Sequence, residues 1–254
     1  MREDLRCSLN GVDMLSLDPR LYIEDIEETI KFTAETGKRA AYGQTLTGIP
    51  GRDSVTVSVT FKIKERDRTR RQSIIQLVNG WAKSGWLTIN TRPYQRLYVT
   101  CTQPANYKVF SWSEDMMVSF TAYDEAYWQD AVPARVSLSG TDASVSVTPN
   151  GTRACCLQAE ITNASGSTVN TLSLAANNSQ MAFEGLALAD GKTLVIAYDE
   201  RHLLTATVDG VSKLSCRTAA SADDLWIDPR KANPVRFVAA GACSVSLILR
   251  GEYD

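Results

Sequence analysis

One histidine in 254 residues, six cysteines without a C-x-x-C pair, and no apolar run near the ~20 residues of a membrane span: these shortages narrow the chemistry first. His202 alone cannot supply a multi-histidine metal centre, and no nucleophile is paired with it in the pattern to support a hydrolytic triad. Excess positive charge is missing as well. Lys+Arg number 27 against 29 Asp+Glu, a net charge of -2 that argues against the strongly basic face of a general nucleic-acid binder. The start, MREDLRCSLNG, has no apolar signal core, so the expectation is a chain made in a reducing cytoplasm, where Cys7, Cys101, Cys155, Cys156, Cys216 and Cys243 stay free. The vicinal Cys155-Cys156 reads as a pair of small packing residues. Gly37-Lys38 fails as a phosphate loop, because Arg39 follows the lysine and position 33 is Thr33, where the motif requires Gly. Asp223-Asp224 and Glu114-Asp115 lie in turn-like segments, and nothing marks them as an acid/base pair. No catalytic residue, cofactor or metal is therefore expected.

What is present centres on Val55 to Thr91. Val55, Val57, Val59, Phe61 and Ile63 alternate with Thr56, Ser58, Thr60, Lys62 and Lys64, the period-two signature of a half-buried strand. In RTRRQSIIQLVNGWAKSG the residues Ile74, Leu77, Val78 and Trp81 form one apolar helical stripe, with Asp67 as its cap and Gly85 as its end. Trp86, Leu87 and Ile89 start the next strand, making an α+β kernel with a single helix. Upstream, Asn10-Gly11 predicts a type I′ hairpin within Leu5 to Leu17. Ile26, Ile30, Phe32 and Ala34 mark one face of a strand, and Gly37 to Asp53 reads as a long loop. Downstream strands are expected at Leu97 to Thr102, Val109 to Trp112 and Met116 to Tyr123.

Two charge clusters stand out. Glu24, Asp25, Glu27 and Glu28 gather on the first long strand. Arg66, Arg68, Arg70 and Arg71 crowd the helix start, where the macrodipole disfavours cations by a few tenths of a kcal/mol each. Either the arginines pair within the chain, with Glu65, Asp67 or the acidic cluster, or they form a subunit contact with an acidic neighbour.

Composition shifts near the middle. Residues 1–132 hold 17 Lys+Arg, 17 Asp+Glu and four of the five tryptophans, whereas 133–254 hold 10 and 12 charges and are rich in Ser, Ala, Thr, Asn and Val. The predicted organisation is mainly β, with a β-rich α+β domain over 1–132 and a β-sandwich of jelly-roll type over 133–254. In the second half short strands alternate with turns, for example Lys192 to Tyr198, Lys213 to Cys216 and Ser244 to Leu249. Its few aromatics include Trp226, the one candidate glycan contact.

The chain resembles the distal tail (Dit) proteins of long-tailed bacteriophages and their prophages. The resemblance spans nearly the whole length: the SLNGVDM hairpin, the strand after Arg52, the Arg-rich helix ending LVNGW, the WLTIN strand, VSFTAYDEAYWQD, FEGLALADGKTLVIAYDERHLLTATVDG, and DDLWIDPRKANPVRF with its turn from Pro229 to Asn233. Asp124-Glu125 departs from relatives that often carry Pro there, and Arg230-Lys231 from those with Gly. The resemblance implies a structural virion protein at the siphovirus tail tip, made and assembled in the bacterial host cytoplasm and not inserted into membrane. N-terminal domains would close a homo-oligomeric ring, a hexamer, that continues the tail tube and passes DNA as cargo. The tail-tube protein would dock on one side and a tail-associated lysin or tail-tip fibre hub on the other, with a receptor-binding protein as a further partner. The C-terminal domain would be galectin-like and point outward. Arg66, Arg68, Arg70 and Arg71 against Glu24, Asp25, Glu27 and Glu28 of a neighbour are the candidate subunit interface. The alternative is a carbohydrate-binding module that attaches to a host cell wall.

Overall fold

The alternating strand read from the sequence lies one place in from the edge of its sheet. In the computed structural model, which describes residues 4–33, 36–39, 43–46, 51–106, 115–123, 127–199 and 202–253, the chain divides into two compact units, Met1–Trp128 and Gln129–Asp254. The first contains β1 (Cys7–Leu9), β2 (Val12–Asp13), β3 (Leu21–Thr33), β4 (Thr36–Arg39), β5 (Gly43–Leu46), β6 (Gly51–Ile63), α1 (Arg68–Trp81), β7 (Gly85–Ile89), β8 (Gln95–Gln103) and β9 (Met116–Ala122). Its sheet runs β2-β1-β7-β8-β9-β6-β3, while β4 and β5 form a separate hairpin ladder. The expected loop over Gly37 to Asp53 is thus replaced, in its described part, by β4, β5 and the start of β6. Low hydrophobic periodicity hid backbone pairing that needs no apolar side chains. The candidate strand Val109 to Trp112 lies outside the described residues.

β6 turns Val55, Val57, Val59 and Phe61 to the core, all fully buried, and β9 adds Val118 and Phe120 beside them. Helix α1 covers this face through Ile74, Ile75 and Val78, and the Trp81 ring meets Phe120 edge-on at 5.7 Å. Each such buried side chain contributes about 1.5–3 kcal/mol. Leu77 departs from the expected stripe: it is 51% exposed and Ile75 takes its place, because the buried face is rotated toward i+1. Asp67 caps the helix, its Oδ1 accepting from the Arg70 N–H at 2.8 Å. The helix stops at Trp81, and Gly85 instead opens β7, where an added Cβ would fall 2.3 Å from the Asn10 side chain. Asn10 and Gly11 both have positive φ, 51° and 79°, as a type I′ turn requires.

Trp128–Asp130, β10, runs across the division in sequence. The second unit holds β11 (Ala134–Val147), β12 (Cys155–Cys156), β13 (Gln158–Asn163), β14 (Leu172–Ala176), β15 (Ser179–Phe183), β16 (Thr193–Tyr198), β17 (Leu204–Val208), β18 (Val211–Ser212), β19 (Trp226–Ile227), β20 (Asn233–Leu249) and β21 (Glu252–Tyr253). β20 organises it. Residues 235–239 pair with β14, residues 243–248 pair with β13, and β11 pairs along both stretches with its register broken between Gly140 and Asp142. The layers are therefore joined through bent strands, and one sheet curls around a single core of residues such as Leu174, Met181, Phe183, Ile161, Ile196, Phe237 and Leu247. Lys213 to Cys216 is no strand; Leu214–Cys216 is a 3-10 turn.

Two buried asparagines hold the loops of this unit. Asn233 donates to the carbonyls of Val147, Asp228 and Lys231, and its Oδ1 accepts from Asp228 N–H and Asn177 Nδ2. This closes the turn from Pro229 to Asn233 even though Arg230 and Lys231 occupy it, with Arg230 folded back onto Asp228 at 2.9 Å. Asn163, 1% exposed, likewise donates to Ser167 and Leu188 carbonyls.

Candidate intersubunit surface

The register of β3 against β6 sorts the acidic cluster. Ile26, Glu28 and Ile30 oppose Val59, Val57 and Val55, so they share the apolar face, whereas Asp25 and Glu27 oppose Thr60 and Ser58 on the other face. Glu24 is the extra residue of an irregularity between Ile23 and Asp25. It pairs with Lys62 at 2.5 Å, and Lys62 also reaches Asp115 at 3.1 Å; the two carboxylates hold its ammonium above the usual lysine value.

Glu28 is an internal anchor. Its carboxylate accepts Nε and Nη2 of Arg92 at 2.8 and 3.0 Å and the indole N–H of fully buried Trp128 at 3.1 Å, while the Arg92 guanidinium lies 5.1 Å from the Trp128 ring centroid. Asp25 and Glu27 are exposed and have no cationic partner among the described residues.

On their face the sheet carries a hydroxyl ladder: Thr56 to Thr121 at 3.1 Å, Ser58 to Ser119 at 3.0 Å and Thr102 to Thr121 at 2.9 Å. β3 ends the sheet, and among the described residues it pairs with β6 alone. Near its end Ile30 is 37% and Phe32 63% exposed.

The arginine cluster divides too. Arg66, Arg68 and Arg70 are exposed, but Arg71 turns inward and is buried, as its place one turn before Ile74 and Ile75 on the core-facing side dictates. The acidic residues nearest in sequence are engaged. Glu65 accepts Arg20 through Oε2 and the Asp67 N–H through Oε1; these hydrogen bonds, the backbone one foremost, lower its pKa. Asp67 is the helix cap. Of the eight residues expected to form one interface, the structure leaves Asp25, Glu27, Arg66, Arg68 and Arg70 exposed, ties Glu24 to Lys62, and commits Glu28 and Arg71 to the interior of the fold. Sequence reasoning missed Arg92, Lys62 and Asp115, whose partners lie far along the chain and leave no local signal.

In the second unit Trp226 sits on β19 opposite Cys156, with 42% of the residue exposed and its carbonyl accepting from Asn177 Nδ2 at 2.9 Å. A shallow groove nearby is lined by Ser144, Ser146, Asn177 and Arg236 among others. His202 is half-buried with φ of 57°, and its Nδ1 lies 3.8 Å from the buried Glu252 carboxylate, which Arg153 also approaches at 3.8 Å. Among the described residues no group of three or more His, Cys, Asp or Glu is placed to hold a metal ion. No helix among them is long and apolar enough to cross a membrane.

No family model matches the chain, and no curated protein matches it. Solved structures do. The Dit protein of phage SPP1, described as a paradigm of the hub adsorption apparatus in phages infecting Gram-positive bacteria, superposes with a TM-score of 0.68 at 10% identity over 97% of this chain and 98% of that one. A chain of the phage p2 baseplate in its activated conformation with Sr gives 0.53 at 7% identity over 96% and 97%. The fold is that of the Dit proteins across both units.

Proposed function

We propose that this chain, whose fold is the Dit fold from end to end, is a structural component of a phage tail tip. The observation that carries the reading is the superposition on the SPP1 Dit protein over 97% of this chain and 98% of that one, which leaves only a few per cent of either without a counterpart. On this reading residues 1–132 form the ring domain and 133–254 the outward, carbohydrate-module-like domain. Copies of the chain close into a hexameric ring around a channel for DNA; the ring joins the tail-tube protein to a tail-associated lysin or tail-tip fibre hub, near a receptor-binding protein. A scaffold role agrees with the chemistry of the N-terminal unit, whose polar groups are spent on ladders, caps and clamps. Sedimentation of the purified full chain over a hundredfold range of concentration tests the reading: closed hexamers are expected, and a monomer throughout, alone and with a tail-tube protein, would contradict it.

One observation favours a second reading for the outer domain. Trp226 exposes 42% of its surface instead of anchoring the core, and an exposed indole is a stacking platform for a sugar ring. Glycan-array binding that disappears in Trp226→Ala would establish that role; no signal from the parent chain would dispose of it.

A further inference from the structure

We propose that the open edge of β11 is a self-association surface, to which β11 of a second copy of this chain adds antiparallel about a two-fold axis. The proposal goes beyond the ring reading above, which needs no contact of this kind.

β11 is fourteen residues long and, among the described residues, pairs with β20 alone. Backbone groups alternate in direction along an antiparallel strand, so about half of its N–H and C=O groups face away from β20. Such an edge is ordinarily kept short, covered, or guarded by lysine, proline or outward charge. The unit does this at its other edges. β18 has two residues, and β15 is covered by the segment after the 3-10 turn, whose Thr218 and Ala222 N–H groups donate to the carbonyls of Ala182 and Gln180 at 3.0 and 2.8 Å. β11 has neither lysine nor proline. Its two charges are turned inward: Arg135 reaches over β20 to Glu160 of β13 at 2.7 Å, and Asp142 accepts from Arg236 of β20 at 2.6 Å. Val136, Leu138 and Val145 pack against the core yet stay only partly buried, since among the described residues no strand flanks them on the open side.

The edge is complementary to itself. Val136 and Leu138 oppose buried Leu247 and Val245, and Ala143 and Val145 oppose buried Phe237 and Val235, so all four point to the core side, while Ser137, Ser139, Ser144 and Ser146 point to the other. The core side passes from even to odd positions at the irregularity between Gly140 and Asp142. A two-fold axis through that irregularity sets Val136 opposite Val145, Leu138 opposite Ala143 and Ser137 opposite Ser144 of the second copy, apolar on apolar and hydroxyl on hydroxyl. This register pairs the strand over its whole length, and in it Arg135 meets Ser146 and Asp142 meets Ser139. Two-fold pairing opposes like charges in two other registers, and neither competes: Arg135 opposite itself joins no more than residues 134–136 of β11, and Asp142 opposite itself sets core-side Val145 against outward Ser139. The partner this edge calls for, a strand with apolar residues on one face, hydroxyls on the other and a break at the same place, is β11 itself.

The test uses the full chain and two double variants at exposed positions, Ser137→Lys/Ser144→Lys and Ser137→Lys/Ser144→Glu. Across the two-fold the first sets like charges opposite each other twice, and the second sets opposite charges there twice. Mass photometry and sedimentation of the parent are expected to show a species that doubles in mass as concentration rises. The first variant should raise the concentration for half-doubling about tenfold or more, and the second should bring it back to the parent value. Circular dichroism separates loss of the contact from loss of the fold. Should a variant not fold, amide exchange of the parent reads the same edge: β11 amides should gain protection with concentration, and unchanged exchange would overturn the proposal. A folded first variant that doubles as readily as the parent, or a second variant as weak as the first, overturns the contact and leaves the ring reading untouched. Doubling of a monomer with no ring formed would sink the ring reading while the contact stands. A parent of one mass at every concentration overturns the contact, whether that mass is of one copy or of six.

Discussion

Replacing Glu28 by alanine should lower the thermal stability of the N-terminal unit. The substitution removes the two-pronged bond to Arg92 and the acceptor of the Trp128 indole N–H. Arg92 retains 28% of its side-chain exposure, so water recovers part of the lost charge-assisted bonding, but Trp128 is fully buried and its N–H has no other acceptor among the described residues. Bonds to charged groups are worth about 1.5–3 kcal/mol and an orphaned buried donor costs about 1–3 kcal/mol. With the overlap between these effects discounted, a loss of about 3 kcal/mol is expected, on the order of 10 °C in the unfolding temperature of a unit this size. Glu28→Gln should lose less, since its amide oxygen still accepts the indole proton. Glu27→Ala, one position along and facing the other way, should shift thermal unfolding by under about 0.5 kcal/mol. Differential scanning calorimetry of the three variants separates the cases. Equal midpoints for Glu28→Ala and Glu27→Ala would refute the internal role of Glu28 and the register that assigns it.

Asn233→Ala should destabilise the C-terminal unit by about 2–4 kcal/mol, because three backbone carbonyls lose their donor in a buried site. Asn233→Asp should be worse, since it sets a carboxylate against those carbonyls; urea unfolding followed by Trp226 fluorescence reads both. Ile75→Ala should cost about 2–5 kcal/mol and Leu77→Ala almost nothing, the reverse of what an even helical stripe implies, as chemical denaturation will show. The buried thiols predict an alkaline limit. Burial, helped by Asp13, pushes Cys7 up to about 12, and burial, helped by Glu252 and Asp130, pushes Cys155 up to about 12. A raised thiol pKa means that the folded state favours the neutral form. Its contribution is complete below the ordinary value of 9.0 and falls away as pH rises toward 12, by about 1.4 kcal/mol per pH unit for each thiol in between. Urea midpoints should therefore drop between pH 8 and pH 11, and Cys7→Ala/Cys155→Ala should flatten that slope; equal slopes would contradict the assignment.

The most regular parts of the fold could be read directly. Alternation gave the buried face of β6, Asn10-Gly11 gave the first hairpin, and Asp67 gave the start of α1, because each is a local rule acting on adjacent residues. Features made by distant residues could not be read. Nothing near Glu28 announces Arg92, 64 positions away, and nothing in Gly43–Leu46 announces its ladder with Thr36–Arg39. The length of β11 and β20 could not be read either, since Gly140 and Gly241 look like turn residues until the strands run through them. At the candidate interface the charges were visible, but their division was not. Which acids face solvent depends on one irregularity at Glu24, and which arginines do depends on the rotation of α1.

The account stands most directly on where the protein resides in a particle. Gold-labelled antibody against the full chain, applied to virions released by the strain that encodes it and viewed by negative stain, is expected to mark the extremity of the tail, one cluster per particle. Label confined to capsids, spread along the tube or absent from intact particles would contradict a role as tail-tip scaffold.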